Sequence, residues 1–311
     1  ARRLVAAMPR SHEVAARGSA ELAAQALSAA ILAPLGKRFA GRRRLAILAD
    51  GALHLVPFAA LPEQTAEPLL VRHEIVMVPS ATVLLAQRER LSRRSPAPET
   101  VAALGDPVFS RTDIRLSGSG SGTSANRREG MDPGPLPRLP YTAEEAKAIA
   151  RLVPRDQALL ALGFQASRDL VLRGGLRRYR IVHFATHGLL HRVLPERSGL
   201  VLSRFDAEGK RRDGFLSAPD LAALDLSADL AVLSACETGR VAVRGGDGLI
   251  GLSRGFLYAG ASTLVPSLWR VEDGSTARLM AQFYRALRDG ATKGAALRAA
   301  QLALLNDPSP H

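Results

Sequence analysis

An α/β fold with a mostly parallel central sheet, flanked by helices, is what this sequence predicts. Three observations lead there. After about residue 141, short apolar runs alternate with helical stretches, the order that right-handed crossovers between parallel strands require. Two of those runs, R-I-V-H-F-A at 180–185 and L-A-V-L-S-A at 230–235, are apolar enough to be covered on both faces. The 311 residues are 47% hydrophobic but only 5% aromatic, which points to an aliphatic core and about two domains.

The elements follow in order. Residues 14–34 carry Ala and Leu at helical spacing and read as a helix ending near Pro34. Leu45–Leu48 and Leu53–Pro57 flank Asp50-Gly51, a pair that favours a hairpin turn. Glu74–Val78 reads as a short strand, and Ser80–Leu91 as a helix with Ser80 as its N-cap. These pieces form a first block, residues 1–98, and a core over 99–311 follows. Inside the core, S-G-S-G-S-G-T-S at 117–124 and Pro133, Pro135, Pro137 and Pro140 predict a flexible loop over about 109–140. Arg127-Arg128 and Arg138 would suit cleavage of that loop by a protease that prefers basic residues. Thr142 and Glu145 have capping-box spacing and open a helix to about Leu152. A strand at Ala158–Ala161, a helix at 167–174 and the strand at 180–185 come next. Gly199–Ser203 and Gly214–Leu216 bracket a polar turn as a side hairpin. The strand at 230–235, a helix at Leu249–Tyr258, a strand at Thr263–Ser267 and helices at 274–288 and 293–305 complete the chain.

Composition excludes several function classes. The net charge is +13, but Lys occurs only at Lys37, Lys147, Lys210 and Lys293, so the basic excess is almost all Arg. The runs Arg42-Arg43-Arg44 and Arg177-Arg178 stand beside few aromatics, so direct nucleic-acid binding is not expected. The single cysteine, Cys236, excludes an internal disulfide framework and a Cys-based zinc site, and suits a reducing compartment, the cytoplasm. No apolar run reads as long enough to span a bilayer, and no signal peptide is evident. The sequence opens on Ala1 rather than Met and reads as a piece of a longer protein.

Two motifs carry the chemistry: V-H-F-A-T-H-G at 182–188 and L-S-A-C-E-T-G at 233–239. Each begins as a buried strand and breaks into a Gly-containing turn. That puts His187 and Cys236 just past the carboxyl ends of two strands, the edge where parallel sheets bind ligands. Cys236 follows His187 by 49 residues (236 − 187), close to the spacing of about 50 in caspases. An imidazole beside a thiol can take its proton and leave a nucleophilic thiolate. His183 reads as a hydrogen-bonded core histidine, and Gly188 suggests that the strand stops before it can share a face with His187. A metal site on His183, His187 and His191 needs a helix, which this β-branched, Gly-broken segment opposes. G-D-G-L-I-G at 246–251 fits G-x-G-x-x-G, but its strand ends about ten residues too early for a dinucleotide site. G-L-S-R-G at 251–255 fits G-x-S-x-G, but Ser253 falls mid-helix. In S-L-W-R-V-E-D at 267–273, Trp269 reads as a core plug or a cleft wall. Asp273 there reads as a helix-start residue or the floor of a pocket for a basic side chain.

The sequence resembles the CHAT domain family, caspase-like cysteine peptidases of the clan that includes separase and the caspases. The two motifs above carry the resemblance, with L-H-L-V-P-F-A-A-L at 53–61, L-P-Y-T-A-E-E-A at 139–146 and G-D-G-L-I-G-L-S-R-G-F-L-Y-A-G-A-S-T-L-V-P-S-L-W at 246–269. It implies a three-layer caspase-like fold, with His187 as catalytic histidine and Cys236 as nucleophile. The backbone N–H groups of Gly188 and Cys236 would form the oxyanion hole. Trp269, Val271 and Asp273 match a W-x-V-x-D stretch of separase, which implies that Asp273 selects Arg or Lys before the scissile bond. The implied function is a cysteine endopeptidase acting on a protein or peptide, with no metal or organic cofactor. Its implied partner is an upstream region of tetratricopeptide-type helical repeats or another regulatory protein. The alternative is a catalytically silent CHAT scaffold. Family members end in an aromatic-rich strand after an H-P motif; this chain stops at S-P-H, so that strand is expected to be missing.

Overall fold

The computed structural model describes residues 14–39, 41–63, 67–116, 136–191, 194–237, 247–268 and 273–307, with the backbone alone for 14–17, 235–237, 247–250 and 273. The chain divides into two units. One holds Ala1–Arg94, Arg244–Gly246 and Gln282–His311; the other holds Ser95–Val243 and Asp247–Ala281.

In the first unit, helix α1 (Val14–Ile31) lays Ala20, Ala23, Ala24, Leu27 and Ile31 on a cluster of Leu32, Val56, Phe58, Leu61 and Leu69. A one-turn helix, α2 (Gly36–Phe39), leads to strand β1 (Arg44–Ile47). The hairpin expected at Asp50-Gly51 does not form. The Asp50 carboxylate accepts the Gly51 N–H at 2.8 Å, and Gly51–Leu55 wind into a 3₁₀ turn. Strand β1 instead pairs in parallel with β2 (Glu74–Met77), Arg44 opposite Glu74. Helix α3 (Ala81–Ser92) starts as expected, with Ser80 Oγ accepting the Val83 N–H. Contrary to expectation, the stretch Gly18–Phe39 is long and apolar enough to cross a membrane by length and composition.

The second unit is built on one sheet of seven strands among the described residues. Strand β3 (Glu99–Gly105) lies between β4 (Ala158–Leu162) and β5 (Tyr179–Leu189). A hairpin of β6 (Gly199–Val201) and β7 (Phe215–Ser217) adds antiparallel pairing at residues 187–189 of β5, beyond the last β3 pairing at Ala185. On the other edge of β5 runs β8 (Leu230–Glu237), and β9 (Leu264–Pro266) lies outside it; both are parallel.

Period-2 alternation sorts the side chains into two layers. Ala102, Leu104, Val182, Phe184, Ala231 and Leu233 join one buried cluster with Val171, Leu221 and Phe256. These last belong to helices α5 (Arg168–Leu172), α6 (Ala218–Ala222) and α7 (Asp247–Ala259). The Phe184 and Phe256 rings meet edge-on at 5.6 Å. Helix α4 (Tyr141–Ala150) covers the opposite face, where Gly105 permits its closest approach: a Cβ there would lie 2.5 Å from the Thr142 carbonyl oxygen. The expected capping box is not made. Thr142 Oγ1 accepts the Asp106 N–H at 2.9 Å, and Glu145 is drawn to His183. The result is a mixed α/β fold with helices on both faces of a central sheet.

Two further expectations change. The ends of the loop drawn over 109–140 are packed: Phe109 and Leu136 are buried with Val201, and Leu116 is buried with Val108 and Phe205. Residues 117–135, with Arg127-Arg128, lie outside the described residues. After α8 (Asp273–Arg288), helix α9 (Lys293–Leu305) groups with the first unit rather than with the 99–311 core. Its Arg298 donates to the Leu70 carbonyl at 2.6 Å and to that of Val71, and Gly294 lets Glu74 approach its backbone.

Candidate functional site at the β5–β8 edge

Strand β5 does not stop before Gly188. Strand β6 takes over the pairing where β3 ends, so β5 continues to Leu189. His187 therefore lies within the strand, paired with Val201 of β6 on one side and Cys236 of β8 on the other. Cys236 is the next-to-last residue of β8, again inside the strand rather than beyond it. The register brings positions 187 and 236, far apart in sequence, into neighbouring places on one sheet. Gly188 is flanked by Leu200 and Glu237 in the same ladders.

A regular strand also places His183 and His187, four residues apart, on the same face. Both are 0% exposed. His183 Nε2 lies 3.0 Å from Glu145 Oε1 of α4, a buried pair that ties the helix to the strand. His187 Nε2 lies 2.7 Å from the Pro137 carbonyl oxygen, and its ring packs 4.6 Å from the Phe109 ring at 48°. A carbonyl oxygen only accepts, so Nε2 carries the proton and donates. In the neutral ring, the basic lone pair is then on Nδ1.

Pro137, Phe109, Asp106 and Arg138 were not singled out as site residues from sequence. Pro137 and Arg138 lay in a Pro-rich stretch that reads as loop. Asp106 follows β3 with φ +47°, a left-handed conformation that Asp tolerates better than most side chains. Its carboxylate is almost fully buried and takes a two-pronged contact from Arg138, Nε to Oδ1 at 2.9 Å and Nη2 to Oδ2 at 2.6 Å. Arg115 Nη1 reaches the same carboxylate at 3.0 Å and the Asp106 carbonyl at 2.8 Å. Arg115 also binds Asp113, Nη2 to Oδ2 at 2.7 Å. The Arg115 hydrogen bond holds the Asp113 carboxyl below the usual carboxylate range. The Asp106 hydrogen bond pushes the Arg138 guanidinium above its usual value.

A cavity of about 670 Å³ opens beside this cluster, lined by Asp106, Arg115, Arg138, Tyr141, Lys147 and Phe164 among others. Among the described residues, neither His187 nor any of β8 lines it. Trp269 lies outside the described residues, and Asp273 is the first residue of α8, given by its backbone.

Residues 21–311 match the family model for the CHAT domain. The chain is similar to tetratricopeptide repeat protein 28 of Mus musculus, 27% identical over 302 residues, covering 85% of this chain and 11% of that protein. The Homo sapiens protein of the same name is 27% identical over 294 residues, with the same 85% and 11% coverage. This chain thus spans about a tenth of those relatives. Sheet, helical layers and family match agree: the chain belongs to the CHAT domain family and has its caspase-like fold.

Proposed function

We propose that this domain is a cysteine endopeptidase, with Cys236 as nucleophile and His187 as its base. The observation that carries the reading is the β5–β8 register, which pairs His187 with Cys236, together with the Pro137 contact that leaves Nδ1 as the basic nitrogen. The Cys236 thiol gives its proton to Nδ1 and its sulfur attacks the scissile carbonyl carbon. The oxyanion is held by the backbone N–H groups of Gly188 and Cys236. The C–N bond breaks as His187 returns the proton to the leaving amine, giving a thioester. Water then attacks, His187 takes its proton, and the C–S bond breaks to restore the thiol. Asp273 selects Arg or Lys at the cleaved position, and Trp269 takes part in substrate binding. A thiolate mechanism suits a reducing compartment, so the cytoplasm is the expected location.

Labelling with a peptidyl arginyl acyloxymethyl ketone tests this. The reagent should modify one site, and the adduct should vanish in Cys236→Ala and in His187→Ala. An adduct that persists in Cys236→Ala, or a wild-type chain that takes none, overturns the reading. One observation favours a second reading: His187 is wholly enclosed under Pro137 and Phe109. A catalytically silent interaction module, attached to helical repeats like those its relatives are named for, needs no open histidine. It predicts no adduct with or without the rest of the protein.

A further inference from the structure

We propose that the Asp106–Arg138 ion pair is a positioning clamp for His187, acting through the Pro137 carbonyl. The inference deepens the peptidase reading and rests on it for its catalytic consequence.

The argument starts from one peptide unit. The Pro137 carbonyl and the Arg138 N–H belong to one planar group, so the carbonyl turns only if the Arg138 main chain turns with it, and a side chain tied at its far end restrains that turn. The pyrrolidine ring of Pro137 fixes φ on the other side, which leaves ψ as the one torsion that swings the carbonyl. Arg138 is fixed by a two-pronged contact to a carboxylate, the hydrogen-bond geometry with the least angular play. Asp106 is fixed in turn. Its N–H donates to Thr142 Oγ1, its carbonyl and carboxylate both take Arg115, and it directly follows β3. Strand β3 pairs with β5 up to Ala185, two residues before His187. The contacts therefore close a ring: β5, β3, Asp106, Arg138, Pro137 and back to His187 Nε2.

Three features mark the ring as more than a pinned loop. Asp106 is held at φ +47°, a sparsely populated conformation that persists only where the surroundings over-determine it. Leu136 is already buried, and Leu139 already accepts from Thr142 Oγ1 at 2.6 Å, so the segment is anchored on both sides without Arg138. The ion pair acts on the peptide between those anchors, the one that faces His187. The chemistry also needs it. If the Pro137 carbonyl turns away, the imidazole proton is free to sit on Nδ1, and the ring no longer offers its lone pair there.

The test reads the ring itself as well as the reaction. Long-range ¹H–¹⁵N spectra of the ¹⁵N-histidine-labelled chain, with His187 assigned from His187→Gln, should show the Nε2–H tautomer. Arg138→Gln and Asp106→Asn should both populate the Nδ1–H tautomer and slow labelling by the arginyl ketone about 100-fold. Guanidinium ion should restore neither readout in Arg138→Ala, because the free cation fills the Asp106 site without a covalent tie to the Pro137 peptide; rescue of the tautomer would overturn the clamp. Circular dichroism melts identify which variants are folded, and Asp106→Asn keeps the shape and the left-handed tolerance if Arg138→Gln does not fold. Unchanged tautomer and labelling in folded variants overturn the clamp and leave the peptidase reading standing. A tautomer shift in a chain that never takes the label supports the clamp and overturns the peptidase reading.

Discussion

Gly105→Ala is the perturbation whose size can be worked most directly from the structure. An alanine Cβ would lie 2.5 Å from the Thr142 carbonyl oxygen and 3.1 Å from the Ala146 Cβ. A carbon–oxygen contact relaxes at about 3.3 Å, so the first turn of α4 must withdraw by roughly 0.8 Å, and the clash is with backbone, which cannot rotate away. Overpacking of this kind costs about 1–3 kcal/mol. The same withdrawal would stretch the 2.9 Å hydrogen bond from Asp106 N–H to Thr142 Oγ1 past its useful range, adding about 1 kcal/mol. The total, about 2–4 kcal/mol, corresponds to a fall in melting temperature of roughly 5–12 °C for a unit of this size. Melting followed by far-ultraviolet circular dichroism measures it. A Gly105→Ala chain that melts within about 1 °C of wild type would refute the reasoning, because α4 would then be able to retreat without cost.

Three further outcomes are expected. Glu145→Leu should destabilise the chain by about 3 kcal/mol by breaking a buried pair from one side, and His183→Phe in addition should recover part of the loss; additive effects in a double-mutant cycle would count against coupling. Burial, then the Glu99 hydrogen bond, raises the Tyr179 hydroxyl to about 12. Since the fold favours the protonated phenol, its contribution is present below pH 10 and lost as pH rises through about 12; Tyr179→Phe should melt with a shallower pH dependence over that window. Gly18→Ala, with nothing within 4 Å of the added methyl, should leave stability unchanged or raise it by up to about 1 kcal/mol, and a lower melting temperature would contradict the open space there.

Strong strands and clean caps were legible in the sequence. The runs around 180–185 and 230–235 are strands β5 and β8, which the structure pairs in parallel. Ser80 caps its helix because nothing else competes for it. The errors share a cause, tertiary partners overriding local signals. Gly188 looked like a strand end, but β6 offers it a ladder. Thr142 and Glu145 looked like a capping box, but Asp106 and His183 recruit them. Asp50-Gly51 looked like a hairpin, but β1 finds its partner at residue 74. At the site, the two strands that carry His187 and Cys236 could be read because strand patterns are local, but the ends of those strands could not, and both residues lie inside them rather than past them. Pro137 could not be read, because a backbone carbonyl leaves no mark in the residue type, and its neighbours spell a loop.

Position 187 has a strand on either side, parallel on one edge and antiparallel on the other. Any shift of its main chain would tear two sets of rungs together, so this stretch is among the stiffest rails in the molecule. The strip laid over it, from Leu136 to Pro140, is held by the buried Leu136 side chain, by the Arg138–Asp106 pair and by the Leu139 and Pro140 carbonyls, which accept from the first turn of α4. The imidazole is thus set between a rail that cannot slide and a strip pinned along its length, so its orientation is built into the fold before anything binds.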